Sequence, residues 1–301
     1  MLFQETINNW QDWGRVYQSK EAFSPLVEEI YRREKLPFAP LQNLTPGTNA
    51  VFRVGNTVAK VFFPRESGLD PTPDFQNEAA VCGWLTARGI PTPRLLAQGK
   101  LQDKYLFYYI LTEFSQGQEA GGWLEAASAE QKVHFAGELQ KVLCKLNCPA
   151  DDLLPAVDLK KRAVCNSRLA ALPETLQQEM RQRALHCDLS QRVLVHGDLT
   201  GENLLVTSQG TLTVIDCADA CLAPAWYELA PIVFELFRCE SVLLREFAGE
   251  GQEEFLEQVL DAVCLHDFGA NLLLTAARRE HLPIFPGLAA VKEFLERKLR
   301  E

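Results

Sequence analysis

The spacing of apolar positions changes character once along the chain, near residue 112. Phe3, Ile7, Trp10, Trp13 and Tyr17 recur at helical spacing, as do Phe23, Leu26, Val27, Ile30 and Tyr31. Two N-terminal helices are predicted, breaking near Pro37. Residues 41–63 read as three short strands, with turns at Thr45-Pro46-Gly47-Thr48-Asn49 and at Gly55-Asn56. A helix over 73–88 places Phe75, Cys82 and Leu85 on one face, and strands follow around 94–97 and 105–111. Small polar residues then take over, from Ser115 to Gly122, and mark a boundary. Beyond it a long helix over 128–148 is indicated by Val133, Ala136, Leu139, Leu143 and Leu146, with Ser128 and Gln131 as a capping box. Further helices are predicted over 159–172, 173–186, 224–237, 241–247, 253–264, 270–277 and 288–299. A β-rich part followed by a helix-rich part makes a two-lobed α+β architecture. Its divisions fall at 1–36, a helical extension packed on the fold, 37–115 and 116–301.

One β-rich stretch interrupts the helical part. Leu204-Leu205-Val206 and Leu212-Thr213-Val214-Ile215 flank Ser208-Gln209-Gly210, which reads as a hairpin. With Gln209 and Gly210 at the tip, Asn203 and Asp216 face each other at the open end. Asp198 lies on the loop just before, after the apolar run Val193-Leu194-Val195. Two carboxylates and an amide oxygen in one small volume suit a hard cation such as Mg²⁺, with Asn203 and Asp216 as ligands. Asp198 beside them could accept a proton from a hydroxyl attacking a γ-phosphate. The spacing His196-Gly197-Asp198-Leu199-x-x-x-Asn203 follows the kinase catalytic signature, with Gly in place of Arg. The later aspartate stands in Ile215-Asp216-Cys217 instead of Asp-Phe-Gly. In this form the stretch resembles the aminoglycoside phosphotransferase and choline-kinase family.

That resemblance implies a protein-kinase-like fold with a small β-rich N-lobe and a larger helical C-lobe. It also implies use of ATP or GTP with Mg²⁺, and Asp198 as the catalytic base. Lys60 stands in a strand of Val, Ala and Phe, where an ammonium needs a partner. Glu78 lies on the inward face of the next helix and should pair with it. In kinases such a pair orients the lysine onto the nucleotide phosphates. The turn carrying Gly47, Thr48 and Asn49 would cover those phosphates, and the backbone at Glu113 and Phe114 would contact the base. His196 would organise the catalytic loop. The chain departs from the family where Ala223-Pro224 replaces a common Gly-Asp. The helix expected next begins Trp226-Tyr227-Glu228, with Glu228 structural.

Composition narrows the partners. The chain has 301 residues, 47% hydrophobic and 23% charged, which is ordinary soluble globular material. Its longest apolar runs fall short of a membrane span, and MLFQETINNW lacks the pattern of a secretory signal. Nine cysteines without a CxxC pair or a His cluster read as free thiols in a reducing cytoplasm. A net charge of −10 argues against nucleic acid. All of it resides in residues 216–267, where twelve acids meet only Arg238 and Arg245. A negative field there would attract a cationic acceptor, and aminoglycosides are hydroxyl-rich polycations. The bland alternative is that these acids sit on solvated helix faces. Choline, a sugar, homoserine or a macrolide are other possible acceptors, Trp226 and Tyr227 being candidates for a choline cage. A non-catalytic nucleotide-binding protein is the reading from another class. A monomer is the expected state.

Overall fold

The computed structural model describes residues 1–301. They divide into two compact units, 1–116 with 216–218, and 117–215 with 219–301.

In the first unit, β1 (Leu41–Asn43), β2 (Ala50–Val54), β3 (Thr57–Val61), β4 (Leu95–Gln102) and β5 (Leu106–Glu113) form one antiparallel sheet. Its order is β1-β2-β3-β5-β4. Alternation does the work: Ala50, Phe52 and Val54 of β2 turn inward, as do Phe107, Tyr109 and Leu111 of β5. They meet Phe23, Leu26, Val27 and Ile30 from α2 (Lys20–Glu34). Edge-on contacts among Phe3, Phe23 and Phe107 fill the centre. Helix α3 (Thr72–Ala87) buries Glu78, Val81, Cys82 and Leu85.

The helix predicted from residue 3 to 17 is shorter. Only α1 (Trp10–Val16) forms, capped by Asn9, whose side chain accepts from the Asp12 N–H at 3.0 Å. Residues 2–7 carry no helix yet still bury Phe3 and Ile7. Their main chain is held by distant side chains at the β4–β5 turn. The Leu2 and Phe3 N–H groups donate to the Asp103 carboxylate at 2.9 and 2.8 Å, and the Ile7 N–H donates to the Tyr105 hydroxyl at 2.8 Å. Lys104 Nζ donates to the Gln4 and Glu5 carbonyls. These bonds replace the i→i−4 ladder that helical spacing suggests.

The second unit holds β6 (Gln118–Glu119), α4 (Ala120–Ala126) and α5 (Ala129–Leu146). The Ser128–Gln131 capping box starts α5. Its buried face is Phe135, Ala136, Leu139, Val142 and Leu146, so Val133 is left exposed. Strand β7 (Val193–Val195), the hairpin β8 (Leu204–Val206) and β9 (Leu212–Val214), and β10 (Cys221–Ala223) lie around the stretch 196–203. β6, β8 and β9 make one small sheet, and β7 pairs with β10. β10 was not predicted, because Cys-Leu-Ala carries little strand propensity of its own.

Two predicted helices are broken. The one over 159–172 stops at Val164 and resumes as a 3₁₀ turn, Ser167–Ala171, whose N-cap Asn166 accepts from the Arg168 N–H. The one over 224–237 becomes a 3₁₀ turn (Ala225–Glu228), one α turn (Leu229–Pro231) and a π turn (Ile232–Leu236). Pro231 contributes no N–H there. The later helices are Ser241–Ala248, Gln252–Leu265, Gly269–Arg279 and Leu288–Arg300. No single helix is long and apolar enough to cross a membrane.

The N-terminal arm therefore hangs on Asp103. Asp103→Ala should lower stability in urea unfolding by about 1–3 kcal/mol, because two main-chain donors lose a charged acceptor. It should also open residues 1–9 to protease. An unchanged midpoint with the arm still protected would show that its apolar side chains alone hold it.

Candidate active site

Lys60 lies on β3, between Val51 of β2 and Ile110 of β5, and is 6% exposed. Its Nζ donates to Glu78 Oε2 at 2.5 Å and to Asp216 Oδ1 at 2.8 Å. The expected partner is there, and a second carboxylate joins it from 156 residues away. Burial works against the ammonium, but Asp216 and Glu78 outweigh it and hold the Lys60 pKa above its ordinary value. Burial raises the Glu78 carboxyl to about 7, with Lys60 opposing and Asp216 adding to the rise. Lys60 is thus the charged centre of the group. Asp74, one turn before Glu78 on α3, is half-buried and raised by burial, with Lys60 opposing. Its i, i+4 relation to Glu78 was the available sign. Asp216 has φ 57°, left-handed for a non-glycine residue.

The expected phosphate-covering turn is tied down from below. The Thr48 carbonyl accepts from Trp13 Nε1 at 2.9 Å. Asn49 is buried, and its Oδ1 accepts from the Phe63 N–H at 3.3 Å. Its side chain is therefore structural. A Cβ at Gly47 would meet nothing within 4 Å. At the end of β5 the Glu113 N–H donates to the Arg94 carbonyl, and the Phe114 N–H to the Asn56 carbonyl, both at 2.9 Å. Those two donors are engaged and are not available to a nucleotide base. The Glu113 carboxylate pairs with Arg94 at 2.5 Å, and Arg53 lies over the Phe114 ring.

In the second unit the stretch 196–203 is fixed group by group. Gly197 has φ +80°, and a Cβ there would fall 2.4 Å from the Asp219 carbonyl oxygen. Glycine therefore stands where the kinase signature has Arg. The His196 N–H donates to Glu228 Oε1, and the Gly197 N–H donates to Oε2 at 3.2 Å. Glu228 is 1% exposed; burial raises its carboxyl to about 7, against the pull of the His196 and Gly197 N–H groups. His266 Nε2 reaches the Gly197 carbonyl at 2.8 Å. His196 Nδ1 accepts from the Asp198 N–H at 3.3 Å, so its proton is on Nε2, which donates to the Ile215 carbonyl at 3.0 Å. Asn203 Nδ2 donates to Asp198 Oδ2 at 2.8 Å and to its carbonyl at 2.9 Å.

The hairpin register differs by one residue from the expectation. Ile215 N–H donates to the Asn203 carbonyl, so Asn203 stands opposite Ile215 and not Asp216. Gly210, with φ +78°, takes the left-handed position of the turn, which is centred on Gln209.

The acidic segment is largely paired. Glu235 bonds Arg279, Glu240 bonds Lys132, and Glu253 and Glu257 bond Lys292. Arg183 takes Glu257 and Asp261, and Arg168 takes Asp267. Every one of these bases comes from outside residues 216–267. Tyr227 is 2% exposed, with its hydroxyl accepting from Arg162, so it is no part of an open cation cage.

A sequence model described as the phosphotransferase enzyme family matches residues 44–271. No curated protein matches the chain. Solved structures do. The GDP complex of wild-type aminoglycoside 2'-phosphotransferase-IIIa is 18% identical with a TM-score of 0.64, covering 94% of this chain and 99% of its own. The GDP and kanamycin complex of APH(2")-IIIa is 17% identical with a TM-score of 0.64, covering 92% and 98%. A thermostable mutant of aminoglycoside phosphotransferase APH(4)-Ia, with ADP and hygromycin B, is 15% identical with a TM-score of 0.55, covering 91% and 97%. At these identities the likeness carries the fold, a kinase-like α+β architecture.

The Lys60 geometry makes a stability prediction. Lys60→Met leaves Glu78 buried without its cation and should cost about 3–5 kcal/mol. Lys60→Met with Glu78→Gln should cost clearly less than the two single losses together, since neutralising both removes the uncompensated charge. Urea unfolding of the four proteins decides it. Additive losses would mean that the pair is not coupled.

Proposed function

The chain belongs to the phosphotransferase enzyme family and is a small-molecule kinase, and from that premise we propose that it moves the γ-phosphate of ATP or GTP to a hydroxyl of a small molecule. The observation that carries this is the fixing of Asp198. Its carboxylate and carbonyl are held by Asn203 and its N–H by His196. The acceptor hydroxyl oxygen forms the new bond to the γ-phosphorus, and the bond to the β–γ bridging oxygen breaks. The nucleoside diphosphate leaves, and the hydroxyl proton passes to Asp198. Catalysis of this kind is mostly positioning and charge stabilisation. Lys60, held by Glu78, binds the α- and β-phosphates as a fixed cation. The Gly47-Thr48-Asn49 turn covers them.

Asn203 and Asp216 fit Mg²⁺ by donor chemistry. The Asn203 amide nitrogen is engaged with Asp198, which leaves Oδ1 as its donor to a cation. Asp216 offers a carboxylate whose other oxygen bonds Lys60. Two hard oxygens suit an ion that keeps most of its shell for water and phosphate. Held by these residues, Mg²⁺ would supply charge neutralisation for the transferring phosphoryl group.

We propose an aminoglycoside-type acceptor. Its support is the kinase fold shared with proteins solved with kanamycin and hygromycin B. The acidic segment adds less than its composition suggests, because so many of its acids have partners. Free thiols at all nine cysteines fit the proposed cytoplasmic location.

Asp198→Ala should reduce turnover at least a thousandfold while leaving nucleotide binding within about twofold. Asp216→Ala should instead weaken Mg-ATP binding. ADP release and a thermal shift with Mg-ATP separate the two effects. Wild-type turnover by Asp198→Ala would end the kinase reading of this site.

The acceptor is tested by salt. Going from low to high ionic strength, kcat/KM for kanamycin should fall by about 3- to 10-fold, while the KM for ATP changes less. Preference for a neutral sugar with no salt effect would remove the aminoglycoside assignment and leave a small-molecule kinase standing.

A further inference from the structure

Gly197 poses a mechanical problem. The Asp219 carbonyl leaves no room for a Cβ, so the position must be glycine. Glycine is also the residue whose backbone is least restrained. The peptide joining Gly197 to Asp198 could rotate, turning the Gly197 carbonyl one way and the Asp198 N–H the other. Such a flip would release Asp198 from His196. Something other than sterics has to hold that peptide.

We infer that His266 is the residue that holds it, a positioning residue for phosphoryl transfer that acts on Asp198 through the Gly197 carbonyl. The inference rests on Asp198 serving as the catalytic base. His266 follows the helix Gln252–Leu265 and is 3% exposed. Its Nδ1 accepts from the Phe268 N–H at 3.1 Å, which places the ring proton on Nε2. Nε2 then donates to the Gly197 carbonyl at 2.8 Å. Burial lowers the His266 pKa to about 4, so the ring is neutral at working pH and keeps this tautomer. The ring lies against Tyr227 at 4.7 Å between centroids, and the Tyr227 hydroxyl is fixed by Arg162 at 2.7 Å. The donor is therefore aimed before any substrate arrives.

The arrangement completes a series. Glu228 takes the N–H groups of residues 196 and 197, His266 takes the carbonyl of 197, and His196 takes the N–H of 198. Each peptide group leading to Asp198 has a buried side-chain partner. Without His266 the Gly197 carbonyl is a buried acceptor with no donor, and a flip becomes a way of satisfying it.

Three variants test this. In His266→Gln the amide nitrogen falls where Nε2 was and can still donate to Gly197. In His266→Asn the side chain is polar but too short, and in His266→Leu it has no donor. Turnover is read as ADP release from Mg-ATP with kanamycin, and as Mg-ATP hydrolysis by water where kanamycin is not phosphorylated. The Asn and Leu variants should lose 10- to 100-fold in kcat with the KM for ATP within twofold, and Gln should recover at least a third of wild-type kcat. Added to Asp198→Ala, His266→Asn should cause no further loss. If Leu fails to fold, the Gln and Asn pair decides alone. Equal kcat for Gln and Asn, or a loss confined to thermal stability, would overturn the assignment. An inactive Asp198→Ala beside a fully active His266→Asn removes only this inference; an active Asp198→Ala removes the reading on which it rests.

Discussion

An ammonium buried between two carboxylates is the constraint on which the first unit depends. Lys60 sits in the middle of the sheet, where a charge is tolerated only with partners. Glu78 ties it to α3, and Asp216 ties it to a three-residue segment contributed from far along the chain. One cation thus fixes a strand, a helix and the left-handed turn at Asp216. With two carboxylates on one ammonium, the group carries net negative charge. Burial raises the Glu78 carboxyl, Lys60 opposes the rise and Asp216 adds to it.

The second unit reaches rigidity by a different route. Its stretch 196–203 relies on buried side chains aimed at the backbone. Glu228 is buried with two N–H donors, and His196 and His266 each use both ring nitrogens. With the main chain fixed by side chains, Asn203 donates to the Asp198 carboxylate itself. A loop held this way needs no closure of its own to be in position, which suits a reaction whose barrier is lowered mainly by placement.

Much of this was legible in the residues, and the missing parts share a cause. The Lys60–Glu78 pair could be read because each partner broke a local pattern, one charge in an apolar strand and one on an apolar helix face. The capping box of α5 and the hairpin could be read because their signals are short in range. Asp216 as a second partner for Lys60 could not, since nothing local links residues 156 apart. The same holds for His266 on Gly197, and for Asp103, which holds residues 2 and 3 out of helix although their spacing is helical. The hairpin shows how fine the limit is: moving the turn centre by half a residue exchanged Asp216 for Ile215 opposite Asn203. β10 was missed because it exists only as a partner for β7.

The acidic segment shows why composition alone is a weak guide to a field. Twelve acids against two bases within residues 216–267 account for the whole net charge of the chain. Pairing redistributes it. Lys132, Arg168, Arg183, Arg279 and Lys292, all from the neutral remainder, are drawn onto the acids of that segment. The remainder then has more acids than available bases, so part of the negative charge is offset within that stretch and left elsewhere. Coulomb forces at distances beyond about 8–10 Å are screened at physiological salt, and a diffuse charge steers a ligand less than a focused one. A long-range field of this kind makes at most a modest contribution to the encounter with a ligand, and selectivity has to come from short-range contacts.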